Sequence, residues 1–313
     1  MLLNKVKDTL QRNNLLKSGD TVIIALSGGP DSVCLSHILK SLQKELKYQI
    51  VLAHLNHAIR GKAGDQDARF TEKFARKLNL PLFQAKLKKR PKNEGEARKL
   101  RYQFLERVRQ KNKAQKVATA HTKDDQIETI LLHLLRGTGL PGLSGIRYQN
   151  KRIIRPLLSS SRQEVLSYLQ KNKLTFCLDK TNKDLAFTRN RVRHQLIPLL
   201  KKEFNPNLEK SLLNLSLIAR EANHYIQARA KAFISKNPEN LPLQSWQALP
   251  RALKRETLRQ AIASLSGNLQ DIYAVHIAET VNMLETNHGN KKKNLPHGLQ
   301  ILKKDGKISL TKS

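Results

Sequence analysis

Thr21-Val22-Ile23-Ile24-Ala25-Leu26-Ser27-Gly28-Gly29-Pro30-Asp31-Ser32-Val33-Cys34-Leu35-Ser36-His37-Ile38-Leu39 decides how the rest of the chain is read. Thr21–Leu26 is short and β-branched and reads as a buried strand; Val33–Leu39 carries apolar residues at helical spacing. Between them, Gly28 and Gly29 let the backbone turn tightly with its N–H groups unobstructed, and Pro30 suits the first position of the helix that follows. A strand, a glycine turn and a helix N-terminus together form an anion cradle, because free N–H groups and the helix dipole favour phosphate. Composition alone equally allows an ordinary strand-to-helix connection. No Gly-Lys-Ser/Thr is present, so the Walker loop is excluded. Asp31 stands where a carboxylate can hold Mg²⁺ or orient a group near the phosphates.

Outward from this stretch the pattern repeats. Residues 1–17 read as an amphipathic helix lying against the first strand. Tyr48–Ala53 reads as a second strand, ending in His54-Leu55-Asn56-His57. A helix over 65–79, a strand at Leu82–Leu87, a basic helix over 94–113 and a strand at Lys116–Ala120 follow. Strands alternating with helices predict an α/β fold with a doubly wound, mainly parallel sheet. Ligands then bind at the carboxyl ends of the strands. The loops after residues 26, 53 and 120 converge on one edge and so predict a site.

Several groups of side chains reach that edge. Asp124, Asp125 and Glu128 follow His121-Thr122-Lys123 and can share one helix face. Thr122 and Asp125 also resemble a capping box, which accounts for the aspartates without chemistry. As a group, the three acids can hold Mg²⁺, bind an ammonium substrate or accept its proton. His133 reads as a packed helix residue or a catalyst, and Arg136 opens a glycine-rich loop that can reach phosphate. Glu94, Arg98, Arg101 and Tyr102 line one helix face, either solvated or set beside a nucleotide or RNA. Arg189, Arg191 and Arg193, around Asn190, form a basic element suited to a phosphate backbone.

Pro198 and Asn205-Pro206-Asn207 mark a boundary. It separates a catalytic domain, 1–205, from a mainly α-helical domain, 206–313, with helices over 207–236, 250–265 and 270–286. The C-terminal tail reads as a hairpin turning at Asp305-Gly306, and Lys291-Lys292-Lys293 either touches RNA or is solvated. No acid/base constellation appears there, so this part reads as a binding or positioning module.

The 313 residues carry a net charge of +33, and residues 201–313 hold 18 Lys+Arg against 9 Asp+Glu, so most of the excess lies upstream. A lysine-rich surface accounts for many cations but not for so large an imbalance of sign, which points to a nucleic-acid partner. The two cysteines, Cys34 and Cys177, are far apart and form no Cys-x-x-Cys, against a disulfide framework or a structural zinc site. No run reaches the length of a membrane span and the N-terminus is not a secretory signal, so a cytoplasmic protein with no membrane contact is expected.

Ser27-Gly28-Gly29-Pro30-Asp31-Ser32 resembles the pyrophosphatase loop of enzymes that split ATP into AMP and pyrophosphate. Within that superfamily the ordered motifs resemble the tRNA(Ile)-lysidine synthetases. They are Ser27–Ser32, His54–Gly61, Glu94…Arg98…Arg101-Tyr102, Ala120-His121…Asp124-Asp125…Glu128-Thr129, Leu135–Gly139, and Asp179…Asn182…Asp184…Phe187…Arg189-Asn190…Arg193. Thr122 stands where the family often has a second histidine, and the matches thin out past about 205. The resemblance implies ATP and Mg²⁺ as cofactors, and L-lysine and a tRNA(Ile) with a CAU anticodon as partners. Its reaction is ligation of lysine to the wobble cytidine through an adenylated intermediate. Ser27, Gly28, Gly29, Pro30, Asp31, Ser32, His54, Asn56 and His57 would then bind ATP, with Asp31 on the metal. Asp31, Asp125, Glu128 and His133 would serve catalysis, with Asp125 or Glu128 taking lysine's proton, so that Glu128→Gln would spare adenylation and slow lysine transfer. Arg98, Arg101, Asp124, Arg136, Arg189, Asn190 and Arg193 would meet substrate or tRNA. A homodimer is compatible with the surface a tRNA needs. Alternatives are a tRNA thiolase, which would need sulfur-handling cysteines, and a non-catalytic ATP- and RNA-binding protein.

Overall fold

A computed structural model of the chain describes residues 1–58, 61–178, 185–237, 240–267, 269, 271–286 and 289–312. Of the motif residues named above, Ile59, Arg60, Asp179, Asn182 and Asp184 lie outside these, as does the side chain of Glu94. The chain divides into two compact units, residues 1–216 and 217–313. The division falls inside a helix rather than at Asn205-Pro206-Asn207.

The first unit runs α1 (Leu2–Arg12), β1 (Thr21–Ala25), α2 (Pro30–Leu46), β2 (Gln49–Asn56), α3 (Lys62–Leu78), β3 (Leu82–Lys86), α4 (Glu94–Lys111), β4 (Lys116–Ala118) and α5 (Lys123–Leu134). Then come α6 (Leu140–Leu143), β5 (Gln149–Asn150), β6 (Ile153–Ile154), α7 (Arg162–Lys171), α8 (Thr188–Arg191), a π-helical turn at Val192–Leu196, α9 (Ile197–Glu203) and α10 (Leu208–Ser235), which continues into the second unit. The sheet has the order β3-β2-β1-β4-β6-β5 and is parallel except for the β5–β6 pair. β1 sits between β2 and β4, with Ala25 opposite Ala53 and Ile24 opposite Ala118. Burial on both faces explains its continuous apolar run. Val22 and Ile24 pack with Val6, Leu10, Leu35, Leu39 and Val165, whereas Ile23 packs with Phe104, Leu105, Val108 and Val117.

This is the expected α/β architecture, with two differences in detail. β2 runs on to Asn56, so His54 and Asn56 are strand residues rather than loop residues. β5, β6 and α7 were not expected. Their strands are two residues long and flanked by Lys151, Arg152 and Arg155, which leaves no apolar run to read.

The second unit is helical, with α11 (Leu243–Gln247), α12 (Arg251–Ser266) and α13 (Ala274–Glu285) beside the end of α10. It also contains an antiparallel sheet of β7 (Leu241–Pro242), β8 (Lys291–Leu295), β9 (Leu299–Lys304) and β10 (Lys307–Lys312), in the order β7-β10-β9-β8. Asp305 and Gly306 both take positive φ, 50° and 69°, and close the β9–β10 hairpin as expected. The lysine run at 291–293 is an edge strand, an arrangement in which charge discourages pairing with another chain. No helix among the described residues is long and apolar enough to cross a membrane.

Trp246 is buried in the core of this unit with Leu258, Ile262, Val281 and Ile301, and its Nε1–H donates to Thr257 Oγ1 at 2.9 Å. The chain has one tryptophan, so indole emission reports this unit alone. Thr257→Val would leave the buried N–H without its acceptor and is expected to lower stability by about 1–3 kcal/mol. Urea unfolding followed by Trp246 fluorescence reads this directly, and an unchanged midpoint would refute it.

Candidate active site

A cavity of ≈ 510 Å³ opens at the carboxyl ends of β1, β2 and β4. Ser27, Gly29, Pro30, Asp31 and Ser32 line it from β1 and α2. His54, Asn56 and His57 line it from β2, Thr119 and His121 from the end of β4, and Asp125 from α5. The three convergent loops expected from the strand pattern therefore meet.

Gly28 has φ +88°, a conformation in which any other residue is strained. Gly29 is the N-cap of α2 and Pro30 opens the helix, with no side chain capping its end. The loop is braced internally: the Ser27 N–H donates to Ser32 Oγ at 3.1 Å, and Ser32 Oγ donates to the Gly29 carbonyl at 2.9 Å. Cys177 closes the far side, its N–H donating to the Gly28 carbonyl at 2.9 Å. The result is an uncapped helix start facing a cavity, as anion binding requires.

Asp31 Oδ1 is buried with no hydrogen-bond partner among the described residues, and Oδ2 lies 3.9 Å from Arg162 Nη1. Burial pushes its carboxyl up to about 6, against the pull of Arg162. An oxygen left unpaired beside a phosphate cradle suits Mg²⁺, which takes one or two carboxylates together with phosphate oxygens. Among the described residues there is no cluster of three or more His, Cys, Asp or Glu side chains that would hold a metal without such a ligand.

The acids on α5 separate into different environments. Asp125 Oδ2 accepts from the Thr122 N–H at 2.8 Å in a capping box, and its Oδ1 accepts from Arg189 Nη2 at 2.7 Å. It stays at the cavity surface. Asp124 accepts from the Arg162 N–H at 2.8 Å and so joins α5 to the start of α7. Glu128 is 1 % exposed. Arg189 Nε reaches its Oε2 at 2.7 Å, and Arg193 Nε reaches its Oε1 at 2.5 Å. Both carboxylate oxygens are thus occupied by guanidinium groups, and Glu128 is not part of the cavity lining.

Arg189 and Arg193 were expected on a phosphate backbone; the structure instead pairs both with Glu128, and only Arg193 lines the cavity. Asn190 is buried beside them. Arg101 and Tyr102 line the cavity, and Arg98 stacks its guanidinium 5.1 Å from the Tyr102 ring centre. Asn56 organises its own loop, accepting from the Ala58 N–H at 2.9 Å and donating to Asp65 at 3.0 Å. His133 does not line the cavity; its Nδ1 lies 2.9 Å from the Gly142 carbonyl and ties α5 to α6. Arg136 is exposed and likewise outside the lining.

Arg162, His121 and Cys177 are cavity residues that the site expectations omitted. Arg162 opens α7, a helix that was not expected, so nothing in the sequence reading had placed it at the site. His121 was visible in its motif, directly after β4. Burial holds its imidazole well below the usual range, at about 4, against the pull of Asp125, so the ring is neutral at physiological pH.

Comparison with known proteins places this arrangement. A family described as a PP-loop domain matches residues 2–200. A tRNA(Ile)-lysidine synthase of Clostridioides difficile is 35 % identical over 99 % of this chain and 71 % of its own length. A second, from Dehalococcoides mccartyi, is 36 % identical over 93 % of this chain and 66 % of its own length. Among solved structures, the U34-tRNA thiolase NcsA from Methanococcus maripaludis, with its [4Fe-4S] cluster, superposes with a TM-score of 0.58. It covers 70 % of this chain and 78 % of its own at 20 % identity, which is a likeness of fold.

The lowered pKa of His121 means that the unfolded chain takes up a proton there between about pH 4 and 6.5 while the folded chain does not. Stability should therefore rise with pH across that window, and His121→Gln should remove up to about 3 kcal/mol of that rise. Denaturation midpoints at pH 4.5 and 7 measure it; identical slopes for both proteins would contradict it. Glu128→Gln would remove the charge that both half-buried guanidinium groups share and leave Asp125 as their carboxylate partner, at a cost of about 1–3 kcal/mol. The geometry thus changes the expectation for this variant: adenylation and lysine transfer should fall together, alongside a lower thermal midpoint, and full adenylation with slow transfer would restore the lysine-binding reading.

Proposed function

This chain belongs to the tRNA(Ile)-lysidine synthase family, and on that premise we propose that it ligates L-lysine to the wobble cytidine of a tRNA(Ile) bearing a CAU anticodon, using ATP. The observation that carries the proposal is the meeting, in one cavity, of an uncapped pyrophosphatase loop, a buried carboxylate with a free oxygen, and a second carboxylate on α5. Neither adenylation nor amine transfer is accounted for without its own part of this set.

In the first step the cytidine O2 attacks the α-phosphorus of ATP, the α–β bridge breaks, and pyrophosphate leaves. Ser27, Gly28, Gly29 and Ser32 would surround the leaving group, so that charge building there would meet oriented dipoles at the start of α2. Asp31 would hold Mg²⁺, which neutralises phosphate charge when bound. Arg162 and Arg193 add positive charge at the same cavity. In the second step lysine's ε-amine attacks carbon 2 of the activated base and AMP is released. The ammonium must lose its proton first. Asp125 is the acid we assign to it, because it lines the cavity while Glu128 is enclosed by Arg189 and Arg193. Glu128 then acts by positioning the two arginines. Residues 217–313, with the edge strand Lys291–Leu295, are assigned to holding the tRNA.

A thiolase reading is less supported, because Cys177 is the single cysteine that lines the cavity. Cys34 is fully enclosed in the core, and Cys177 is the other cysteine of the chain. The test is incorporation of labelled lysine into unmodified tRNA(Ile)(CAU) beside elongator tRNA(Met), which shares the anticodon. Incorporation into the first alone is expected, and Asp31→Asn should abolish pyrophosphate release by at least about a hundredfold. No incorporation into either tRNA would refute the reaction, and equal incorporation would refute the specificity.

A further inference from the structure

His54 is 4 % exposed, yet it lines the cavity. Its Nδ1 lies 2.9 Å from the carbonyl oxygen of Leu26, the residue immediately before the pyrophosphatase loop. A carbonyl only accepts, so Nδ1 carries the proton and donates. The opposite nitrogen, Nε2, is buried and has no hydrogen-bond partner among the described residues. Burial also lowers the imidazole's basicity, which keeps the ring neutral. Nε2 is therefore a bare acceptor, held against the strand that leads into the loop. A buried acceptor without a donor is costly unless a ligand supplies one.

We propose that His54 selects the nucleobase in this cavity, its Nε2 accepting a hydrogen bond from an exocyclic amino group. The proposal rests on the nucleotide chemistry of the preceding section and adds a determinant of specificity to it. Two bases in the reaction carry such a group: the adenine of ATP, through its 6-amino group, and the target cytosine, through its 4-amino group. Guanine and hypoxanthine present a carbonyl oxygen at the equivalent edge of the purine, and two acceptors facing each other repel. A fixed tautomer makes this discrimination possible, since a ring free to carry its proton on Nε2 would accommodate either base.

The experiment has two arms. In the first, ATP and purine riboside 5′-triphosphate, which lacks only the amino group, are titrated into the protein without tRNA. In the second, pyrophosphate release is compared for tRNA(Ile) carrying cytidine or its 4-deamino analogue at the wobble position. Wild type should prefer the amino-bearing partner by about tenfold or more in one arm, since a buried acceptor left unpaired costs at least that. His54→Phe should bring that preference close to one, and the arm affected identifies the base. A purely structural role would weaken both partners equally and leave the ratio intact. His54→Gln, which keeps a polar group of similar reach, supplies a second variant if His54→Phe does not fold and should show a reduced preference. Indifference of the wild type in both arms, or full retention of its preference in the folded variants, would overturn the proposal. Preference for ATP in the first arm with no pyrophosphate released from any tRNA would instead refute the reaction and leave the role of His54 standing.

Discussion

Parallel pairing of β1 between β2 and β4 is the constraint on which the rest of this molecule depends. Antiparallel neighbours would send successive loops to opposite edges. Parallel strands finish on the same side and return through helices. With Ala25 opposite Ala53 and Ile24 opposite Ala118, β1 and β4 end beside Ala53 and Ala118, and β2 runs three residues further along β3 on the same side of the sheet. The phosphate cradle, the histidine pair at 54 and 57, and His121 with Asp125 owe their proximity to that register. Apolar packing on both faces holds it in place, with α1, α2 and α7 on one side and α4 on the other.

A second constraint is the burial of Glu128. A carboxylate removed from water needs cationic and hydrogen-bonding partners to offset its lost hydration. Arg189 and Arg193 supply them and so bind α8 and the π-helical turn to α5. The same two guanidinium groups lie near Asp125, at 2.7 and 3.7 Å, which ties the cavity acid to the buried one. Part of the chain's basic excess is therefore internal and serves to organise carboxylates.

Much of this was legible in the chain as written. The β-branched run before Ser27, the two glycines and Pro30 carry their own local reasons for a strand, a turn and a helix start. The Asp305-Gly306 hairpin did so too, because few residue pairs accept positive φ twice in succession. Legibility failed where an element is short and polar. β6 has two residues and β8 begins with three lysines, and neither shows the periodicity of a half-buried strand. Arg162 was lost with α7, since the first residue of an unrecognised helix has no stated place in the site.

Composition and order by themselves determined the doubly wound sheet, the phosphate loop and the edge at which chemistry gathers, because each follows from contacts between near neighbours in sequence. Tertiary structure alone decided the roles within that edge. Asp124, Asp125 and Glu128 occupy one helix face and look equivalent in sequence. Packing sent the first to cap α7, left the second at the cavity, and enclosed the third between two arginines. The same holds for His133, whose ring is engaged by the Gly142 carbonyl, and for His54, whose tautomer is set by Leu26. A side chain's chemistry depends on the dielectric and the partners around it, and those come from residues far away along the chain.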